Sequence, residues 1–479
     1  MTAVNRTRSD GFSLWGWPVQ TLLATALGVG LGVLVAHDPA WSWRFPTRAL
    51  DMQLYRQAPY LWTILALIAF GGLLFLVRRA AWLAKHRYAV SVVMLLIAQG
   101  MSGINIGPLD PTDVAGVLLV LFWLSVTLVE HRPIVVPFGV LVLVSVFGFF
   151  AFASIVNGQA VTAIRLQTIF SKIIILVMLC SIIGTDRNLM VLALRAFIGV
   201  AIISAVIGII LEGVYLLTGM PVSFTDVATS KFKETPLGMM LRTSALMTTS
   251  QVFAHHMLLG ACLLLCARGN LWLRLAAVSL CGMGVAFTFS TGAYITFAFV
   301  VLVAPVVVWP RYAIHVLAGY ATAGLIIYLS GLFDLVMEKV VVPLGAANFA
   351  ERVEYLRLGL NVIETYPWLG IGLGKYGSLN TPIHNAYVQC TADIGLVGGA
   401  VFVLFLLYLL VHTWGHLRNA LDEDDRRWLS GLFLGMLGLC VHYQSEPFYD
   451  NVTSWVFFGL VAAGVGALGH PWWKVGSPQ

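Results

Sequence analysis

Apolar runs of about 17–25 residues recur along this chain from Val19 to residue 470, each long enough to cross a hydrocarbon core of roughly 30 Å as a helix. Lipid offers the backbone no hydrogen-bond partner, so such runs must close their bonds internally. They fall at 19–36, 59–77, 88–106, 113–130, 133–155, 169–185, 188–217, 251–267, 271–289, 292–309, 312–333, 394–412, 429–446 and 454–470. That is about 14 transmembrane helices, or 12 if the close pairs within 113–155 and 271–309 are over-divided. Only 10% of the residues are charged, against about 25% in a soluble domain, and mean hydropathy is +0.88. The expected fold is an all-α polytopic membrane protein with no soluble domain of ordinary size. Residues 1–18, with Arg6 and Arg8, precede an apolar run lacking a good cleavage site, so the run reads as an uncleaved first helix.

Charge orients the bundle. With the amino terminus inside, every short inner connection is basic, carrying Arg78, Arg79, Arg132, Arg187, Arg268, Arg311, Arg418 and Arg426 among others. The longer loops, 37–58, 156–168, 218–250, 334–393 and 443–453, face the opposite side. Their basic residues, among them Arg165, Arg242, Arg352, Arg357 and Lys375, run against the topological preference, and anion binding is one reason to keep them there. The net charge of +6 is scattered over loops and is no nucleic-acid footprint. Glu212, His255, His256 and His442 lie inside predicted helices, in their outer halves, where ionisable groups are costly and point to function. For His255 and His256, a side chain satisfied by backbone or water is an equally good reading. The six cysteines sit in or beside apolar segments without metal-ligand spacing and read as small core residues.

The division that follows is 1–333, helices with short loops; 334–393, a large outer loop; and 394–479, the last helices and an inner carboxy terminus. The large loop opens with a predicted helix, Ala346 to Thr365, whose apolar stripe is Val353, Leu356, Leu360 and Ile363, with Arg352 at its edge. Tyr366-Pro367 breaks it, and Gly370, Gly372 and Gly374 allow a tight return toward the bundle. No strand precedes these glycines, so they are not a nucleotide-phosphate loop. His384 then precedes a span expected to begin at Ile394. An imidazole titrates near neutrality and suits removal of a proton from a sugar hydroxyl. A lone loop histidine usually does nothing, and an arginine at a membrane boundary usually anchors lipid. Several arginines converging from separate outer loops are harder to dismiss, because guanidinium forks fit phosphate oxygens.

Glu351-Arg352, the run from Tyr366-Pro367-Trp368-Leu369-Gly370 through Gly374-Lys375-Tyr376, His384-Asn385-Ala386-Tyr387 and Gly395-Leu396-Val397-Gly398 together resemble the O-antigen ligase/polymerase family. Arg242-Thr243-Ser244 resembles its upstream arginine segment, and Phe289-Ser290-Thr291-Gly292-Ala293 its helix start, with Thr291 where the family carries arginine. The resemblance covers about residues 235–400. It implies a GT-C-like glycosyltransferase of the bacterial inner membrane, with a large helical periplasmic loop and the site facing the periplasm. Its partners would be a polyprenyl-diphosphate-linked glycan donor, a glycan acceptor, the lipid bilayer, a flippase and a chain-length regulator. It implies no cofactor, no nucleotide sugar and no metal. His384 would be catalytic, Arg242, Arg352 and Arg165 would hold the diphosphate, and Asn385, Tyr387, Arg357, Lys375, His442 and Glu212 would support them. The span count and the large loop favour a polymerase of O-antigen or exopolysaccharide repeats over a ligase that transfers finished glycan to lipid A-core. A flippase or other transporter would place its charged groups near the midplane, often within internal repeats, and neither is evident here.

Overall fold

In a computed structural model the residues described are 86–102, 115–116, 123, 135–219, 232–235, 238–331, 334, 342–376 and 383–469, all within one compact unit, Ala84–Gln479. The spans expected at 19–36 and 59–77, and most of 113–130, lie outside them. The helices are α1 (Arg87–Gly100), α2 (Phe138–Ala153), α3 (Ile155–Ile183), α4 (Arg187–Thr218), α5 (Ser250–Cys266), α6 (Leu271–Ala286), α7 (Thr291–Val308) and α8 (Ala313–Leu329). They continue with α9 (Val342–Thr365), α10 (Ala386–Asn419), α11 (Glu423–His442) and α12 (Val452–Leu468). Five described helices are long and apolar enough to cross a membrane, and five shorter apolar helices accompany them. The chain is a multi-pass membrane protein.

The described residues are predominantly helical, as expected, and the strand pair among them, β1 (Phe232–Thr235) and β2 (Gly238–Leu241), is a short antiparallel hairpin in the 218–250 connection. One expectation needs correction. Residues 156–168, expected as an outer loop, are helical within α3. Asn157, Gln159, Arg165 and Gln167 lower the hydropathy of that stretch without breaking the helix.

Burial sorts the helices by position. Helices α5 and α12 are buried on nearly all sides, as central helices of a bundle must be when apolar all round, whereas α8 buries no residue. An aromatic cluster joins α2, α10 and α12: Trp455 stacks on Phe405 at 6.0 Å and meets Phe147 at 5.8 Å. At one end, Arg187 donates to Asp425 at 2.7 Å and Arg268 to Asp424 at 3.0 Å, so connections that the charge pattern assigns to the inner side meet there.

Helix α10 is broken once, at Gly395, with φ 82° and ψ 171°. That backbone region is essentially closed to residues with a Cβ. The break lets Leu396 N–H donate to Pro367 O at 2.7 Å, while the carbonyls of Ala392 and Asp393 accept from Ile371 and Gly372 N–H, both at 3.0 Å. The glycine turn 370–374 thus docks on α10, as its composition suggested, and two of its N–H groups are used up there rather than cradling an anion. A Cβ at Gly395 would overlap Trp368 O. Gly395→Ala should therefore cost on the order of 1–3 kcal/mol from backbone strain alone, and more from the overlap. The check is the apparent melting temperature of purified protein at one scan rate, expected to fall by several degrees; an unchanged value would show that the turn yields freely.

Candidate functional site

The beginning of α10 is tied to the end of α11. Asn385 caps α10, its Oδ1 accepting from Tyr387 N–H at 3.0 Å and Val388 N–H at 3.1 Å. Its Nδ2 donates to Gln444 Oε1 at 3.2 Å. Ala386 N–H donates to Tyr443 O at 2.8 Å, and Tyr387 OH to Cys440 O at 2.8 Å. Helix α10 begins at Ala386 rather than at Ile394, because hydropathy marks where a chain meets lipid and the asparagine cap marks where the helix starts. Asn385 and Tyr387 thereby fix where His384 sits.

His384 is placed against Glu446, a residue the sequence reading missed. Glu446 is 2% exposed, in the turn beyond α11, and its Oε2 lies 3.7 Å from His384 Nδ1. Its Oε1 accepts from Ser290 Oγ at 3.2 Å. Ser290 caps α7, accepting from Ala293 N–H at 3.5 Å, and Gly292 lies so close to Ser445 that a Cβ there would overlap the serine hydroxyl. Hence the small residue in Ser290-Thr291-Gly292: the turn carrying Glu446 packs directly on it.

Two arginines approach the same carboxylate. Arg352, on α9, donates through Nη1 to Ser445 O at 3.3 Å, with Nη2 4.0 Å from Glu446 Oε1. Arg242 follows β2 and donates through Nε to Thr288 O at 3.0 Å, while Thr243 N–H donates to Phe287 O at 3.1 Å. The hairpin is thus pinned to the α6–α7 turn, and Arg242 lies within electrostatic range of Glu446 and Arg352. Burial pushes the Glu446 carboxyl upward, but His384, His442 and Arg352 outweigh it and hold it below the usual carboxylate value. These neighbours favour the ionised carboxylate. At 4.0 Å its hold on Arg352 is an ion pair without a hydrogen bond, which leaves guanidinium N–H groups for a stronger acceptor.

The remaining predicted residues lie in other places. Arg165 pairs with Asp450 at 3.8 Å and packs against Gly374. Lys172 donates to Asp450 O, so it and Arg165 meet the 448–450 turn, while Lys375 donates to Asn157 O at 2.7 Å on α3. Arg357 is exposed on α9. His442 is fully buried, with Nδ1 3.4 Å from Thr296 Oγ1, and lies within electrostatic range of Glu446. Glu212 is fully buried on α4, and neither carboxylate oxygen has a hydrogen-bond partner among the described residues. It sits one turn past Gly208, whose carbonyl accepts from Thr243 Oγ1 at 3.4 Å. His255 is within 3.1 Å of Ser454 Oγ, and His256 within 3.0 Å of Gln99 Nε2, which ties α5 to α12 and α1. For these two histidines the structural role has the direct support.

Signals for Glu446 existed. Ser445-Glu446-Pro447 is an acidic side chain flanked by a helix-ending proline, at the mouth of an otherwise apolar segment. Its partners, however, lie on α7, α9 and the start of α10, far away in sequence, and no local pattern links them.

Residues 276–403 match a family model described as O-Antigen ligase, a stretch that includes Ser290, Arg352 and His384 but neither Arg242 nor Glu446. No curated protein matches. One chain of a solved structure, described as "Structural coordination of polymerization and crosslinking by a peptidoglycan synthase complex", is similar at a TM-score of 0.39 and 17% identity, over 70% of this chain and 96% of that one. At that score the likeness carries no argument. The matched stretch carries both His384 and Arg352, and over residues 276–403 the chain is similar to the O-antigen ligase family.

Proposed function

We propose that this protein is a membrane glycosyltransferase of GT-C-like architecture that polymerises polyprenyl-diphosphate-linked oligosaccharide repeats at the periplasmic face of the inner membrane. The observation that carries the reading is the convergence of Arg242, Arg352 and His384, from three separate segments, on the one turn that holds Glu446. The cations suit a diphosphate, and the imidazole suits a hydroxyl.

In the transfer step, His384 removes the acceptor hydroxyl proton as the hydroxyl oxygen bonds to the anomeric carbon of the donor. The bond from that carbon to the diphosphate oxygen breaks, and its electron pair leaves on the diphosphate. Arg242 and Arg352 meet the charge that builds there, which is where fixed positive groups lower a barrier. The scheme calls for no metal and no cofactor. Arg165 and Lys172 would act on another part of a lipid-linked substrate or only brace the 448–450 turn, and Lys375 would brace α3 through Asn157 O.

A ligase that moves the finished glycan to lipid A-core would use the same donor chemistry, and the family match is compatible with both readings. The two differ in acceptor, so the test is the glycan profile of a deletion strain. Single repeat units on lipid A mark a lost polymerase. Full-length chains stranded on polyprenyl lipid mark a lost ligase, and an unchanged profile of both pools would remove the enzyme from this pathway.

A further inference from the structure

Glu446 is the most deeply buried charged group at the site, and the transfer step above leaves it without a task. Its surroundings are built: Ser290 Oγ engages Oε1 at 3.2 Å, and Oε2 is left toward His384. On the other side of that gap, His384 Nδ1 is buried and has no hydrogen-bond partner among the described residues. A ring nitrogen so placed lacks a partner within bonding distance, with a carboxylate oxygen 3.7 Å away. Catalytic hydrogen bonds are often long in a protein without substrate and tighten when it binds.

We infer that Glu446 is a positioning residue acting through His384: Oε2 accepts Nδ1–H, fixes the tautomer, and leaves Nε2 as the lone pair that takes the acceptor's proton. The inference rests on the proposed transferase reading and deepens it. Two competing proton arrangements exist for a neutral imidazole, and only one of them is a base at Nε2. A carboxylate facing Nδ1 selects that form, then stabilises the imidazolium while remaining ionised itself. The proton leaves His384 for water after the glycan has moved. Ser290 contributes indirectly, since its hydrogen bond to Oε1 sets the carboxylate's rotation. The arginines gain as well, because Glu446 keeps Arg352 oriented without a hydrogen bond that a diphosphate would have to break.

The test uses full-length protein in lipid nanodiscs with a lipid-linked oligosaccharide as donor. Glu446→Gln keeps the shape but can present an amide N–H to Nδ1, which favours the wrong tautomer. Turnover at saturating donor should fall about 100-fold, within the range of general-base contributions, while donor KM stays within about threefold. Glu446→Asp retains the charge but withdraws it by one methylene, and should lose only about tenfold in turnover, again at unchanged KM. If the glutamine variant does not fold, the aspartate variant decides alone. Turnover at the wild-type level in either variant, or a raised KM at unchanged turnover, would overturn the inference, the latter by showing that Glu446 serves the arginines instead. His384→Ala run beside them separates the two levels: near-normal turnover there sinks the transferase reading itself, whereas a dead alanine variant beside a fully active glutamine variant sinks only the role of Glu446.

Discussion

His384→Ala should lower turnover by about 10²–10⁴-fold, the usual worth of a positioned base, and so abolish detectable polymer while leaving donor binding largely intact. A sugar hydroxyl is far too weak an acid to ionise alone near neutral pH, so the step depends on a base in contact with it. Binding should survive because the proposed scheme gives the diphosphate to Arg242 and Arg352, neither of which has a described hydrogen bond to His384. His384→Gln discriminates a base from a loop-pinning residue, since glutamine hydrogen-bonds but takes no proton at this pH. Asn385, Ala386 and Tyr387 already pin the loop to α11, so little pinning is left for His384 to do. Glutamine is expected to be as inactive as alanine in a purified assay. Substantial turnover by the glutamine variant would move the base to another residue.

Arg352→Ala should cost about 10²–10³-fold in turnover, as removal of one group stabilising a developing anion does elsewhere. Arg352→Lys should recover little of it. The guanidinium already spends Nη1 on Ser445 O, and its planar fork leaves further N–H groups for phosphate oxygens. An ammonium on a shorter stem reaches one partner or the other. Polymer yield in cells at matched protein level is the first measurement, and donor affinity in nanodiscs the second. Near-normal polymer from the alanine variant would remove Arg352 from the site.

Much of the helical frame could be read from apolar runs, because lipid leaves the backbone few alternatives. The errors came where polarity and backbone shape part company. Asn157 through Gln167 looked like a loop, yet Asn157 Nδ2 donates to Gly370 O and Arg165 pairs with Asp450, which pays for polar side chains on a helix face. The hairpin at 232–241 joins two short strands by backbone pairing that hydropathy does not register. For the candidate site, the sequence offered cations on the side its charge pattern disfavours and a histidine ahead of a span, and the folded chain brings Arg352 and His384 to one carboxylate. Glu446 went unnoticed because it occupied the end of an expected span at 429–446, where an acidic side chain passes as a boundary. The contacts that define it cross from α11 to α7, α9 and α10, so only the folded chain reveals them.

The Asn385–Gln444, Ala386–Tyr443 and Tyr387–Cys440 bonds give the two halves of the site different mechanical character. His384 and Glu446 sit on segments riveted together by directional bonds, so a tilt of either helix carries both. Helix α9, which bears Arg352, meets these segments through Gly359 against Ile383 and Val388 and through one directional bond, from Arg352 Nη1 to Ser445 O at 3.3 Å. Hydrogen bonds resist shear, whereas apolar surfaces slip. With three such bonds on one side and a single one on the other, the imidazole–carboxylate pair is held more firmly as a unit than Arg352 is held to it.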